Sequence, residues 1–296
     1  MTRSGVIDAH AHVFRPAATS LRGVDELVPA GRDAPVEDLL GLMTENGVDA
    51  AVLVPLDDHD DYIARVLADY PETFAAIAVA SPAELRAGSS SGVESLRARR
   101  DRFGFHGLRT QWLGEPGQPV KDSPALPILR YLAEQGLLLW TYLPPDQLPL
   151  LSGVVRELPE LRVVLNHLGF CPHGMRIDQH RRPRFDDPFP ESTVQQVLGL
   201  SEAGSVHLMV SGQYALSTQE PPYPDLFPVT RCFAEAFGPE RLLWASDYPW
   251  TRDVPGYRTM LDLVSATLPD LDSASLARVR GGTARTLFPH FGGSGE

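Results

Sequence analysis

Cysteine is nearly absent from this chain: Cys171 and Cys232 serve 296 residues, too few for a disulfide scaffold. Basic residues are also in deficit, with 26 Lys and Arg against 38 Asp and Glu and a formal net charge of −12. A nucleic-acid binder normally shows a basic face, so that class is excluded. An anionic small molecule is not excluded, because a local cluster such as Arg176, Arg181, Arg182 and Arg184 can override the overall field. No apolar run approaches the length that spans a membrane, and no charged segment leading into an apolar stretch marks a secretory signal. These absences predict a soluble cytoplasmic protein with neither nucleic acid nor membrane as partner; a homo-oligomer stays open. No Gly-x-Gly-x-x-Gly or P-loop follows any candidate strand, which leaves a nucleotide fold without a motif.

What is present is a recurrent alternation. The length admits one large α/β barrel or two smaller domains, and 43% apolar residues is ordinary for a globular protein. Short apolar runs at 6–9, 50–54, 75–79, 107–111, 137–143, 162–166, 206–211 and 242–246 read as strands. Several are almost continuously hydrophobic, as parallel strands buried on both faces require. Helical stripes lie between them, such as Val36, Leu39, Leu40 and Met43 after Pro35 and before Asn46-Gly47, and Leu126, Leu129, Leu132 and Ala133 before Gly136. Leu261, Val264 and Leu268, then Leu276, Val279 and Leu287, mark helices beyond the last strand. Eight strand–helix repeats predict a (β/α)8 barrel formed by residues 1–296 as one domain, with a C-terminal helical extension. An open doubly wound sheet is the competing arrangement. Two segments look inserted: Ala87 to Gly92, read as a small flexible connection, and Gly169 to Pro190, a long loop after the sixth strand.

The chemistry sits at strand ends. His10-Ala11-His12 closes the first strand, and residues i and i+2 of an extended chain point to one side. The sixth strand ends in Asn166-His167 and the eighth in Ser246-Asp247. Any one of these has a bland reading as a turn or capping residue. Together they predict one polar pocket, provided closure brings the first and eighth strands side by side. Arg109 follows a short strand and carries the fork that matches a carboxylate, although a salt bridge within the barrel explains it nearly as well. Tyr142 and Trp140 of the fifth run, and Ser211 and Tyr214 at and just after the end of the seventh, are candidate substrate contacts. Asp57, Asp58 and His59 are explained by a polar turn, and Cys171 by an ordinary loop or core thiol.

The strand endings resemble the amidohydrolase superfamily, in its amidohydrolase-2 branch. The matching segments are Ile7 to His12, Gly107-Leu108-Arg109, Val164 to Gly169, Trp244 to Trp250 and Gly281 to Phe288. The resemblance implies a distorted barrel with hydrolytic or decarboxylating chemistry at its C-terminal face. In metal-dependent members the positions of His10, His12 and Asp247 bind a divalent cation. The chain departs from the fuller pattern: the fifth strand, Leu137 to Leu143, has no histidine, and the only lysine is Lys121. A binuclear lysine-bridged centre is therefore not expected. The expectation is at most one divalent ion, with zinc favoured by ligand type, or a metal-independent site. The pattern is most similar to the lactonases of sugars and dicarboxylates. It implies a hydrolase of a small, carboxylate-bearing cyclic ester; ester hydrolysis needs a base and an electrophilic partner, which makes Asp247 the candidate base that activates water and His10, His12 and His167 candidates to polarise the carbonyl. The alternatives are a zinc-dependent non-oxidative decarboxylase and a barrel that merely binds a small acid.

Overall fold

The computed structural model describes residues 5–87 and 90–292. Every one of the eight anticipated strands is present: β1 (Val6–Ala11), β2 (Val48–Leu53), β3 (Phe74–Val79), β4 (Gly107–Thr110), β5 (Leu138–Thr141), β6 (Val163–Leu165), β7 (Val206–Val210) and β8 (Leu242–Trp244). They pair in parallel in chain order, the arrangement that crossover helices impose. Helices α1 (Val36–Asn46), α2 (Asp61–Asp69), α3 (Pro82–Arg86), α4 (Ser90–Phe103), α5 (Leu126–Glu134), α6 (Leu148–Glu157), α7 (Glu191–Leu200), α8 (Gln213–Leu216) and α9 (Phe227–Phe237) occupy the crossovers, and α10 (Tyr257–Thr267) follows β8. Two short helices, α11 (Ser273–Ala277) and α12 (Thr283–Leu287), form the anticipated C-terminal extension.

Closure is the distorted part. β8 and β1 share no ladder; just beyond β8, the Asp247 N–H donates to His10 O at 3.0 Å and the His12 N–H to Tyr248 O at 2.7 Å. A buried carboxylate fastens this seam. Asp8 accepts from the Ser246 N–H at 2.9 Å, the Ser246 hydroxyl at 2.5 Å and the Tyr257 hydroxyl at 2.9 Å. Burial raises its pKa to about 6, against the opposing pull of those donors.

Strand alternation divides the apolar residues into two layers. Ile7, Val52, Ile77, Leu138, Val164 and Leu243 fill the barrel interior, and Leu287 and Phe288 of the C-terminal extension cap that layer. The larger layer lies between the strands and the surrounding helices. In β1 the alternation slips. Ile7 and Ala9 belong to the interior, yet Ala11 packs outside with Val13. The β1–β2 register is irregular between Asp8 and Ala11, and such an irregularity exchanges the two faces of a strand. It is what turns His10 and His12 inward.

Ala87 to Gly92 is not simply a flexible connection. Ser90, Ser91 and Gly92 begin α4, and Gly88 and Ser89 lie outside the described residues. Gly92 is there for close approach: a Cβ would lie 2.5 Å from the Glu84 carbonyl oxygen. The same corner holds Arg99, which reaches Asp60 through Nε at 2.9 Å and Nη2 at 3.0 Å, Glu84 through Nη1 at 2.6 Å and Val79 O at 3.1 Å.

Two loops rise over the end of the barrel where the polar strand tips lie. Between β1 and α1 the chain is organised by Arg22, whose guanidinium donates to six carbonyls, those of Arg15, Gly23, Val28, Pro29, Ala30 and Arg32. After β6 a short antiparallel hairpin pairs Arg176–Ile177 with Pro183–Arg184. Its arginines build the loop. Arg182 pairs with Asp178 and donates to Val254 O, Arg184 donates to Tyr214 O and Ser217 O, and Arg176 pairs with Asp186 at the surface.

Candidate active site

Closure brings His10, His12, His167 and Asp247 to one place. Nε2 of His12 stands 3.6 Å from Asp247 Oδ1, Nε2 of His10 is 3.9 Å from the same atom, and Nε2 of His167 is 3.8 Å from Oδ2. All four side chains are buried. Two of them sit on strained backbone: Asp247 at φ +59° and His167 at φ +46°, followed by Leu168 at +59°. Non-glycine residues rarely adopt this region, and such strain gathers at sites that a fold must aim. Gly212 makes room behind His167, since a Cβ there would come within 2.7 Å of the histidine Cβ.

Hydrogen bonding gives each group one role. Asp247 Oδ2 accepts from the Tyr214 hydroxyl at 2.6 Å, while Oδ1 is buried without a partner. Burial raises the Asp247 pKa, opposed by His12, the Tyr214 hydrogen bond and Arg109. His167 Nδ1 lies 2.9 Å from Ser211 Oγ. Burial holds all three histidines neutral: His12 falls to about 4 and His167 to about 3, and His10 is driven well below its ordinary value.

The tautomers of His10 and His12 follow from their neighbours. The Trp140 indole N–H can only donate, and it meets His10 Nδ1 at 3.0 Å. Neutral His10 therefore carries its proton on Nε2, which faces His12 Nε2 at 3.2 Å. His12 Nδ1, 2.7 Å from Val54 O, must itself donate, leaving the lone pair on His12 Nε2 to accept from His10. The relay Trp140–His10–His12–Val54 is thus internally satisfied. It also corrects the expectation that His10 and His12 polarise a carbonyl, because one N–H is spent on the other ring and the second lies on the backbone. Trp140 is fully buried beneath His10 and does not reach the cavity.

The same relay bears on metal. Ligand atoms of His10, His12 and Asp247 lie within 4.8 Å of one another, a spacing that suits a cation. Their chemistry suits it less well. Zinc takes histidine through a lone pair, and His10 presents Nε2–H. As arranged, the cluster offers two lone-pair ligands, His12 Nε2 and Asp247 Oδ1, and does not fit a three-ligand zinc site. Trp140→Phe removes the indole donor and should tighten zinc binding about tenfold, the lower end of the effect of altering a ligand's hydrogen-bond partner. Calorimetric zinc titration of both proteins checks this. Equal affinities would show that the indole does not govern the cluster.

A cavity of about 350 Å³ opens from this cluster to solvent. Arg109 and Tyr142 stand on its wall, with the guanidinium carbon 4.5 Å from the centre of the Tyr142 ring. Arg109 Nε is buried without a partner, and among the described residues the guanidinium forms no ion pair, so the internal salt bridge considered for it is not seen there. Burial pushes the Tyr142 hydroxyl up to about 12, with Arg109 pulling the other way, so the phenol stays protonated. Tyr214 touches the cavity but its hydroxyl is committed to Asp247, and Ser211 serves His167. Cys171 is buried, with its thiol pushed up to about 12, and is no nucleophile. Asp57 accepts from the N–H of His59 at 3.0 Å, the polar turn expected there. Sequence reasoning missed Val24, Leu27 and Val28, which overhang the cavity from the loop after β1. The available signal was the length of chain between β1 and α1, since long βα loops of barrels cover their sites.

Comparison with known proteins bears on the family and the fold. The amidohydrolase family model Amidohydro_2 matches residues 7–290. An L-fucono-1,5-lactonase from Burkholderia ambifaria is 26% identical over 254 residues, covering 83% of this chain and 81% of that one. Among solved structures, a protein from Pseudomonas putida assigned as a 2-pyrone-4,6-dicarboxylic acid hydrolase superposes with a TM-score of 0.72 at 22% identity, covering 97% and 98% of the two chains. An amidohydrolase from Burkholderia multivorans with bound zinc gives a TM-score of 0.75 at 19% identity, covering 96% and 99%. These structural likenesses speak to the fold.

Proposed function

We propose that this chain, which belongs to the amidohydrolase family, hydrolyses a small lactone with Asp247 as the base that activates water. The observation that carries the reading is the divided carboxylate of Asp247: Tyr214 holds Oδ2, and Oδ1 is left unpartnered at the head of the cavity. A carboxylate so placed accepts a proton from water without first breaking another hydrogen bond. A curated relative, an L-fucono-1,5-lactonase, supports hydrolysis of this kind of bond.

The remaining groups divide the work. The water oxygen bonds to the acyl carbon while one of its protons passes to Asp247 Oδ1. Negative charge then develops on the former carbonyl oxygen. Neutral Tyr142 offers an O–H to it and Arg109 a full positive charge, both on the cavity wall. With the Ser211 hydroxyl donating to Nδ1, His167 carries its proton on Nε2 and adds a third donor. Collapse of the tetrahedral species breaks the ring C–O bond. The proton held by Asp247 moves to the departing alkoxide, giving an open-chain hydroxy acid. No step needs the cation that His10 is poorly arranged to hold.

The test is direct. Lactones incubated with the metal-depleted protein should open, read as acid release, with no carbon dioxide formed. Carbon dioxide release from a carboxylic acid without lactone turnover would overturn the reading and make the chain a decarboxylase.

A further inference from the structure

We infer that the cavity selects a lactone that is apolar over most of its surface and carries at most one carboxylate. This rests on the lactonase reading for its reaction but on the cavity walls for its substrate class.

Charge sets the first limit. Arg109 is the one lysine or arginine among the described residues lining the cavity, against three carboxylates, Asp25, Asp57 and Asp247. Asp25 and Asp57 stand at the mouth, where Asp25 accepts from the Val28 N–H at 2.6 Å and Asp57 from the Gly23 N–H. One substrate carboxylate can reach Arg109. A second would meet only like charge, so a dicarboxylate is disfavoured. The arginines of the loop after β6 do not relieve this, because Arg182 and Arg184 are spent on Asp178 and on backbone carbonyls.

Hydrogen-bonding capacity sets the second limit. A sugar lactone carries several hydroxyls that lose water on entry and each need a partner. Some polar groups of the wall are engaged within the protein, Tyr214 with Asp247, His12 Nδ1 with Val54 and His167 Nδ1 with Ser211, and on the proposed mechanism Arg109, Tyr142, His167 Nε2 and Asp247 Oδ1 are taken up by the reacting ester and water. The rest of the surface is hydrocarbon and aromatic, including Leu27, Leu56, Phe170, Phe185, Leu216 and Trp250.

An independent observation lies at the rim. Among the described residues the exposed large hydrophobics are Leu21, Val24 and Met175, at 70%, 56% and 48% exposure. All three belong to the two loops over the mouth, and Val24 and Met175 line the cavity itself. Exposed apolar side chains gathered around one opening mark a surface meant to be covered by an apolar ligand. Arg22 holds the first of these loops in place through six carbonyls, so the rim stands ready without a ligand.

The experiment compares four substrates on the purified full chain: 3,4-dihydrocoumarin, a mono-carboxylated dihydrocoumarin, L-fucono-1,5-lactone and 2-pyrone-4,6-dicarboxylate. The two aryl lactones should exceed the other two in kcat/KM by at least about 30-fold, within what a hydrophobic pocket discriminates. Val24→Asp with Met175→Gln should cut that preference about tenfold. Equal or faster turnover of the sugar or dicarboxylate lactone overturns the inference. Should no lactone open, the lactonase reading fails and calorimetry still judges the cavity. Binding of 3-(2-hydroxyphenyl)propionate at least about tenfold tighter than gluconate sustains it, whereas equal binding, tighter gluconate or no binding of either acid overturns it.

Discussion

Asp247→Asn should leave the barrel folded and reduce lactone hydrolysis by about 10²–10⁴-fold, the usual contribution of a positioned general base. The amide keeps the size of the carboxylate and can still accept from Tyr214 at the position of Oδ2. It cannot take a proton from water at the position of Oδ1. The pH profile gives a second reading. Only ionised Asp247 acts as base, and burial raises its pKa, so kcat/KM should climb with pH along a limb lying above the ordinary carboxylate range. The residual activity of the amide variant should lose that limb. Tyr214→Phe removes a hydrogen bond to the charged form, so it should move the limb to still higher pH. Steady-state rates from about pH 4 to pH 9, roughly 2.5 units on either side of an ordinary histidine, compare all three proteins. Full activity in Asp247→Asn would remove this residue from the mechanism.

The second large effect concerns stability and lies away from the cavity. Arg99→Met should cost roughly 3–5 kcal/mol of folding free energy. The arginine joins α4 to Asp60, just before α2, and to Glu84 of α3, with Asp60 and Glu84 both buried. Methionine fills similar space but leaves two carboxylates out of water without a cation. For a chain of this size the thermal midpoint should fall by on the order of 10 °C. Denaturant unfolding and a thermal scan, both at pH 7, check it. A loss below about 1 kcal/mol would place these charges among the weak surface pairs instead.

Much of the architecture was legible before the structure. Runs such as Ala75 to Val79 and Val206 to Val210 announce strands because both faces of a parallel sheet must be apolar. The polar residues that interrupt the pattern at 10, 12, 167 and 247 do share one site. What the pattern could not convey is which neighbour each group meets. Trp140 belongs to an apolar run and reads as a wall of the pocket. Its indole N–H instead sets the tautomer of His10, a partner 130 residues away in the chain. The inward turn of His10 depends on a register slip against β2, which no periodicity within β1 reveals. Asp8 reads as one more strand residue, although its carboxylate fastens the seam through contacts that span 238 and 249 residues. The arginine-rich segment from 176 to 184 reads in the sequence as a local counterweight to the acidic chain. Arg182 and Arg184 instead tie it to the segments after β7 and β8, because carbonyls left bare by an irregular backbone need donors.

The seam between the first and last strands also orders events in time. Each strand from β1 to β6 pairs with the next one in the chain, so successive contacts close short loops and form early as the polypeptide lengthens. The seam joins residues more than two hundred positions apart, and its entropy of closure is met only once β8 exists. His10 and His12 therefore wait through nearly the whole of synthesis for Asp247. On the proposed mechanism, a chain that lacks β8 and the residues after it lacks its base, however much of the barrel it has built.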